Sequence, residues 1–367
     1  MKIMAKTRVL VVDDSAFMRK VISDMIAQDP VLEVAGTARD GLDALEKIKR
    51  LRPDVVTLDV EMPRKDGLET LRDVMRSQPV PVIMLSSMTQ SGAKATIDAL
   101  ALGAVDFVAK PSGPISLDIE QVQEELIRKI KAAALARIHP TPIRRGSREV
   151  GYQPTAEQRA SFRLSAVSSG GAKSIVAIGA STGGPRALEA VIRQFPPDLP
   201  AGVLVIQHMP PGFTRSMAER LDQISSITVK EAEEGDRIRA GVAYVAPGDY
   251  HMVVSKDGVL HIVQTPPVNY VRPSVDVTLL SLPSVYSDQL VGVILTGMGK
   301  DGAAGMARIK AGGGVTIVQD ESTSTIYSMP RAVVENDDAD FILPLGQIGD
   351  AAVRAVKKLE QRVGKNR

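Results

Sequence analysis

The 367-residue sequence contains no cysteine, which excludes a disulfide framework, a thiolate metal site and a cysteine nucleophile and fits a reducing compartment. It also lacks any uninterrupted apolar stretch near the ~18 residues that a membrane helix needs. Its first apolar run, Val9 to Val12, ends at Asp13 and Asp14 and is too short for the core of a signal peptide. An excess of one charge is missing as well. The 45 Lys and Arg against 43 Asp and Glu leave a formal net charge of +2, too little for wholesale attraction to nucleic acid or an anionic membrane. These absences predict a cytoplasmic protein with no nucleic-acid partner and no direct membrane insertion, whose partners are recognised at defined sites. What is present is ordinary globular composition, 44% hydrophobic and 24% charged, in a chain long enough for two domains.

In the N-terminal half, short β-branched runs alternate with helical patterns: RVLVV then a helix from Ser15, LEVAGTA then DGLDALEKIKRL, DVVTLD then DGLETLRDVMRS, PVIMLSS then ATIDALALG, and DFVAK. Five such units predict an α/β domain with a five-stranded parallel sheet. Ligands of such sheets bind beyond the carboxyl ends of the strands. The residues there are Asp13 and Asp14, Asp59, Ser86 and Ser87, and Lys110. Converging carboxylates repel unless a hard cation neutralises them, so the set calls for Mg²⁺. A cation, a lysine and a hydroxyl around one carboxylate form a device for accepting a phosphoryl group, with Asp59 as acceptor. Any one of these aspartates alone would read as a helix cap or turn residue.

Through VVDDS, LDVEMPRKDG, MLSS and DFVAKP, residues 7 to 130 resemble a response-regulator receiver domain, which has a flavodoxin-like fold. The resemblance implies phosphorylation at Asp59 and Mg²⁺ held among Asp13, Asp14, Asp59 and the Glu61 backbone carbonyl. It further implies Lys110 as the phosphate's partner, Ser86 as the switch hydroxyl with Ser87 beside it, and Phe107 as the switch aromatic. Periodicity then fades over residues 131–172, where Pro, Gly, Ser and Arg accumulate, which predicts a helix leaving the receiver and then a tether. Arg144, Arg145 and Arg148 read as a solvated face of that tether.

Residues 173–367 show a second alternating pattern: SIVAIGA, GVLVIQ, GVAYVA, the hairpin HMVVSKDGVLHIVQ turned at Asp257 and Gly258, VGVILTG, VTIVQD and DFILPL. This predicts a doubly wound, mostly parallel α/β domain with a β-hairpin insertion. Strand ends again select the reactive groups: Ser181, His208 and, in the loop after VGVILTG, Asp301. A serine hydroxyl becomes a nucleophile when a base takes its proton and a carboxylate orients the base, so the three suit acyl transfer. GASTGGP puts small residues around Ser181 and opens a helix with proline, and backbone N–H groups of Gly297 to Gly299 are candidate oxyanion donors. Ser181 and Asp301 each also read as helix N-caps.

Three rivals follow. GASTG fits the nucleophile elbow of α/β-hydrolases, but the order serine, histidine, aspartate is not theirs. GMGKDG after a strand, with Asp320 beyond the next one, fits a dinucleotide fingerprint. A DNA-binding output would need a helix-turn-helix or a basic recognition helix, and none is evident. The stretch from 173 to 360 resembles the catalytic domain of the CheB family of chemotaxis methylesterases, through GASTGGP, QHMPPGFT, APGDYHM, RPSVD, LTGMGKDGAAGM and YSMPRA. That resemblance implies a nucleophilic Ser181, His208 as base and then acid, Asp301 as orienting carboxylate, the Met298 N–H as oxyanion donor and Thr182 lining the site. It implies no cofactor for the esterase, methyl-accepting chemoreceptors as substrate, a chemotaxis histidine kinase as phosphodonor, and glutamine deamidation as a second reaction.

Overall fold

The computed structural model describes residues 6–110, 119–138 and 171–365. The chain divides into two compact units, parting between residues 144 and 145. Most of the expected tether, including Arg144, Arg145 and Arg148, lies outside the described residues. No helix among the described residues is long and apolar enough to cross a membrane.

The first unit runs β1 (Thr7–Val12), α1 (Ala16–Ala27), β2 (Leu32–Ala38), α2 (Gly41–Leu51), β3 (Val55–Asp59), α3 (Gly67–Ser77), β4 (Val82–Ser86), α4 (Gln90–Leu102), β5 (Asp106–Ala109) and α5 (Ile119–Ala134). Its sheet has the order β2-β1-β3-β4-β5 with every pair parallel. The central strands β3 and β4 are buried along their whole length, as continuous apolar runs covered on both faces require. Helix starts follow sequence: Ser15, Asp40 and Asp66 each cap a helix by accepting backbone N–H groups, which leaves Asp13 and Asp59 uncommitted to capping.

The second unit is built on seven strands: β6 (Ser174–Ala180), β7 (Ala201–Gln207), β8 (Thr228–Glu231), β9 (Val242–Val245), β12 (Leu290–Ile294), β13 (Val315–Gln319) and β14 (Phe341–Leu343). Their order is β14-β13-β12-β6-β7-β9-β8, and every pair is parallel. The expected hairpin is present as β10 (His251–Val254) and β11 (Leu260–Val263), an antiparallel pair apart from the main sheet. Helices α6 (Gly184–Ile192), α7 (Phe213–Ile224), α8 (Val275–Ser281), α9 (Pro283–Tyr286), α10 (Ala303–Ala311), α11 (Ser328–Glu335) and α12 (Leu345–Lys365) complete it. One sheet face buries Ile175 and Ala177 of β6 with Leu279 of α8, Met306 of α10 and Met329 of α11. The long helix α12 packs on β6, β12 and β13. Strand β6 has β7 on one side and β12 on the other, so the winding reverses there and opens a crevice at the strand ends. Ser181, His208 and Asp301 follow these three neighbouring strands.

Candidate active site and acidic cluster

In the first unit, Asp13 and Asp59 are buried at the ends of β1 and β3 and Asp14 is exposed beside them. One carboxylate oxygen from each lies within 4.8 Å of the others. Lys110, just past β5, places Nζ 2.8 Å from Asp13 Oδ2 and 2.7 Å from Asp59 Oδ2. Burial pushes the Asp59 carboxyl up to about 6, and the Asp13 charge adds to it, against the opposing pull of Lys110 and of the Glu61 N–H. That N–H donates to Asp59 Oδ1 at 3.3 Å. Burial works against the Lys110 charge, but the bonds to Asp13 and Asp59 outweigh it and raise the ammonium's pKa. Three carboxylates around one ammonium leave negative charge uncompensated. Asp13 Oδ2 is buried and, beyond its ion contact, accepts no well-formed hydrogen bond. A hard divalent cation fits that donor set.

The expected switch residues have partners of their own. Ser86 Oγ donates to the carbonyls of Ser87 and Gly92, each at 3.2 Å, while Ser87 Oγ lies 3.0 Å from Thr89 Oγ1. Phe107 is buried with Lys129 Nζ 5.0 Å from its ring centroid. The same ammonium donates to the Phe107 carbonyl at 2.6 Å and pairs with Asp106 and Glu125 at 3.1 and 2.7 Å. Burial opposes the Lys129 charge, and the two carboxylates more than restore it. A buried lysine on a helix is invisible to periodicity, and Lys129 was not expected.

In the second unit, Ser181 follows β6, where Ala180 is the register partner of Gln207. Its N–H donates to the Thr296 carbonyl at 3.0 Å, and its carbonyl accepts from the Gly184 N–H at 2.7 Å and the Gln207 amide at 3.0 Å. The N-cap of α6 is Gly183, at φ +77°, where a Cβ would run into Thr325 at 2.7 Å. Ser181 therefore does not cap the helix. His208 follows β7 and donates its N–H to the Ala180 carbonyl at 3.2 Å, so Ser181 and His208 stand side by side at adjacent strand ends. Their side chains are not hydrogen-bonded to each other among the described residues, a common looseness in sites without substrate.

His208 Nε2 lies 2.8 Å from Asp301 Oδ2. Strands β7 and β12 are both neighbours of β6, so this bond closes over the end of the strand that carries Ser181. Facing a carboxylate, Nε2 holds the proton and Nδ1 is the basic nitrogen. Asp301 is also not a cap, since Gly302 occupies that position on α10. Its carboxylate accepts instead from Ser274 Oγ (2.8 Å), the N–H groups of Val275 (2.6 Å) and Asp276 (3.1 Å), and the Asn269 amide (3.1 Å). Burial alone would raise Asp301, but the bonds from His208, Val275 and Ser274 outweigh it and pull the carboxyl down to about 2. Neighbouring Asp276 moves the other way, pushed up by burial and by the Asp301 charge. Beneath them, buried His251 accepts the Ser274 N–H at Nδ1 (3.1 Å) and faces the Pro266 carbonyl through Nε2 (3.2 Å).

The glycine loop lies against Ser181: a Cβ on Gly297 would come within 2.8 Å of Ser181 Cβ. The Gly297 N–H donates to the Ile326 carbonyl at 3.0 Å, and the Gly299 N–H to Ser328 Oγ at 3.1 Å. Two of the three expected oxyanion amides, those of Gly297 and Gly299, are thus engaged elsewhere. Thr182 is buried beside Ser181, and its carbonyl accepts from Thr296 Oγ1 at 3.0 Å. The dinucleotide alternative loses its acid, because Asp320 is committed to Ser322 Oγ and the Thr323 N–H. Helix α8 and the Asn269 stretch before it were absent from the predicted elements. Ser274 ahead of an apolar run with Asp276 in the first turn is the N-cap signature that would have found it.

A family model for CheB methylesterase matches residues 176–352, and one for the response regulator receiver domain matches residues 9–120. The chain is similar, at 54% identity over 95% of its length and 97% of the relative's, to a protein-glutamate methylesterase/protein-glutamine glutaminase of Symbiobacterium thermophilum. A protein of the same name from Pyrococcus abyssi is 50% identical over 96% of this chain and 95% of that one. Among solved structures, the Thermotoga maritima CheB methylesterase catalytic domain aligns at 43% identity and TM-score 0.48 over 49% of this chain and 97% of that chain.

Proposed function

The chain belongs to the family of CheB methylesterases that carry a response-regulator receiver, and from that membership we propose that it hydrolyses glutamate γ-methyl esters on chemoreceptors. The products are glutamate and methanol, and receptor glutamines are deamidated by the same site. The reading assigns residues 1–130 to the receiver, 131–172 to a tether and 173–367 to the cytoplasmic hydrolase. The observation that carries the chemistry is the His208–Asp301 bond of 2.8 Å, with Ser181 at the end of the strand next to that of His208.

In the proposed mechanism His208 Nδ1 takes the Ser181 proton as Oγ attacks the ester carbonyl carbon. The negative oxygen of the tetrahedral adduct is stabilised by the Met298 N–H. His208 then gives its proton to departing methoxide, leaving an acyl-serine. Water repeats the sequence, with His208 as base towards water and acid towards Ser181, and glutamate is freed. Asp301 orients the ring and offsets the imidazolium charge.

Control comes from the receiver. Asp59 attacks the phosphorus of a phosphohistidine on a chemotaxis kinase, and the histidine nitrogen leaves. Asp13, Asp14, Asp59 and the Glu61 carbonyl would hold Mg²⁺, which would neutralise charge on the transferred phosphoryl group. Lys110 pairs with the new phosphoryl oxygens, Ser86 turns to donate to one of them, and Phe107 responds, which raises hydrolase activity. The test is release of labelled methanol from methyl-labelled receptor membranes by the purified protein. Release that survives Ser181→Ala would overturn the covalent mechanism.

A further inference from the structure

We propose that Ser328 is a positioning residue of the hydrolase: its hydroxyl fixes the Gly297–Met298 peptide and so aims the Met298 N–H at the developing oxyanion. The inference rests on the reading of Ser181 as nucleophile and names what keeps its oxyanion donor in place.

A trans peptide is planar, and its C=O and N–H point in opposite directions. The Gly297 carbonyl and the Met298 N–H belong to one such plane, so whatever holds the first aims the second. The Gly297 carbonyl accepts from Ser328 Oγ at 2.9 Å and from the Met329 N–H at 3.0 Å. Ser328 Oγ also accepts the Gly299 N–H at 3.1 Å. One hydroxyl thereby bridges the peptides on both sides of Met298, and both of its bonds run to the start of α11.

The loop needs such a clamp because of its composition. Gly299 sits at φ +96° with nothing within 4 Å of where its Cβ would be, so side-chain packing does not restrain it. Glycine on both sides of Met298 permits the peptide to turn over. A reversed peptide would present the Gly297 carbonyl where the N–H belongs, repelling the oxyanion it should stabilise. Oxyanion donors act because they are fixed before the charge appears. Met329 remains as a second tether, so losing Ser328 loosens the donor without removing it.

The test compares Ser328→Ala and Ser328→Thr in the full-length protein by receptor-ester hydrolysis and by the rate at which a fluorophosphonate phosphonylates Ser181. That labelling also passes through an adduct with a negative oxygen. Alanine is expected to lower kcat and the labelling rate by the same factor, roughly tenfold, below the 10²–10³ typical for deleting an oxyanion donor outright. KM and the unfolding temperature stay at wild-type values, and threonine, which keeps the hydroxyl, restores both rates to within about threefold. If alanine prevents folding, Ser328→Cys, with a weak S–H donor in nearly the same volume, is expected to show the same loss. Wild-type rates in the alanine or folded cysteine variant overturn the proposal. So does a loss confined to KM, or one that threonine does not repair. Activity surviving in Ser181→Ala would instead sink the underlying hydrolase reading, whatever Ser328 does.

Discussion

Asp59 ends β3 and Asp301 lies in the loop after β12, each buried at the carboxyl edge of a parallel sheet beside a basic side chain, yet their carboxyls move in opposite directions. Asp59 is pushed up to about 6 and Asp301 pulled down to about 2. Burial works upward on both, so the donors decide. Asp59 has the Lys110 ammonium, shared with Asp13, and the long Glu61 N–H bond. Asp301 has His208, Ser274 Oγ, Asn269 and two backbone N–H groups, with no competing carboxylate on most of them. The difference suits the tasks proposed for the two. A carboxylate that must attack phosphorus keeps its oxygens under-committed, whereas one that only orients a base is saturated with donors.

The strongest way to break that comparison is to remove each carboxylate in turn. Ser181→Ala sets the floor, with an expected loss on the order of 10⁶ in methanol release, and Asp301→Asn is expected to cost roughly 10⁴. Asp59→Asn is expected to abolish phosphoryl transfer from a small phosphodonor, followed as loss of the hydroxylamine-labile adduct. If Asp59→Asn still forms that adduct, Asp59 is not the acceptor and its thin set of donors means nothing for phosphorylation.

A second experiment asks whether the acidic cluster governs the triad at all. Deleting residues 1–150 is expected to raise the unstimulated esterase rate by roughly 5- to 150-fold, the range a coupling of about 1 to 3 kcal/mol provides, and to make the rate indifferent to phosphodonor. A folded fragment no faster than the unphosphorylated whole would mean that the receiver activates without restraining. Smaller again, Ser274→Ala removes one donor to the ionised Asp301. Hydrogen bonds to charged groups are worth about 1.5–3 kcal/mol, so a fall in kcat of about tenfold or more is expected, with KM unchanged.

The sequence disclosed what strand ends disclose. Several β-branched runs ended at polar residues, and the parallel sheet rule turned those ends into sites, so Asp13, Asp59, Lys110, Ser181 and His208 could be picked out along the chain. The alternative of Ser181 and Asp301 as helix caps could not be excluded there, because capping depends on whether Gly183 and Gly302 adopt a left-handed backbone, a property of the folded chain. The supports of Asp301 were hidden for another reason. Asn269 and Ser274 reach it from an irregular stretch and the N-cap of a short helix, and contacts between distant loops leave no periodicity. Strand β8, four residues at the sheet edge, lacked the apolar run that marks the central strands.

The finest contrast between the two carboxylates is how their removal alters stability with pH. Asp301 has a folded pKa below its ordinary value of 3.8, so its ionisation contributes stability that is complete above about pH 4 and is lost as pH falls towards 2. Asp59 has a folded pKa above 3.8, at about 6. The folded protein then binds more protons than the unfolded chain between those values, and stability falls as pH rises through that window. Without Mg²⁺, Asp301→Asn is therefore expected to lower the unfolding temperature by several degrees at about pH 7 and by less as pH falls below 4. Asp59→Asn is expected to raise it at about pH 7, where a buried charge is removed, with the gain fading between about pH 6 and 4. Added Mg²⁺ should erase the gain, since the cation stabilises the ionised cluster only while Asp59 is present. Calorimetry of both variants across that range checks the signs. Destabilisation at about pH 7 in both variants would show that Lys110 satisfies Asp59 as fully as five donors satisfy Asp301, and the contrast between an under-committed and a saturated carboxylate would fall.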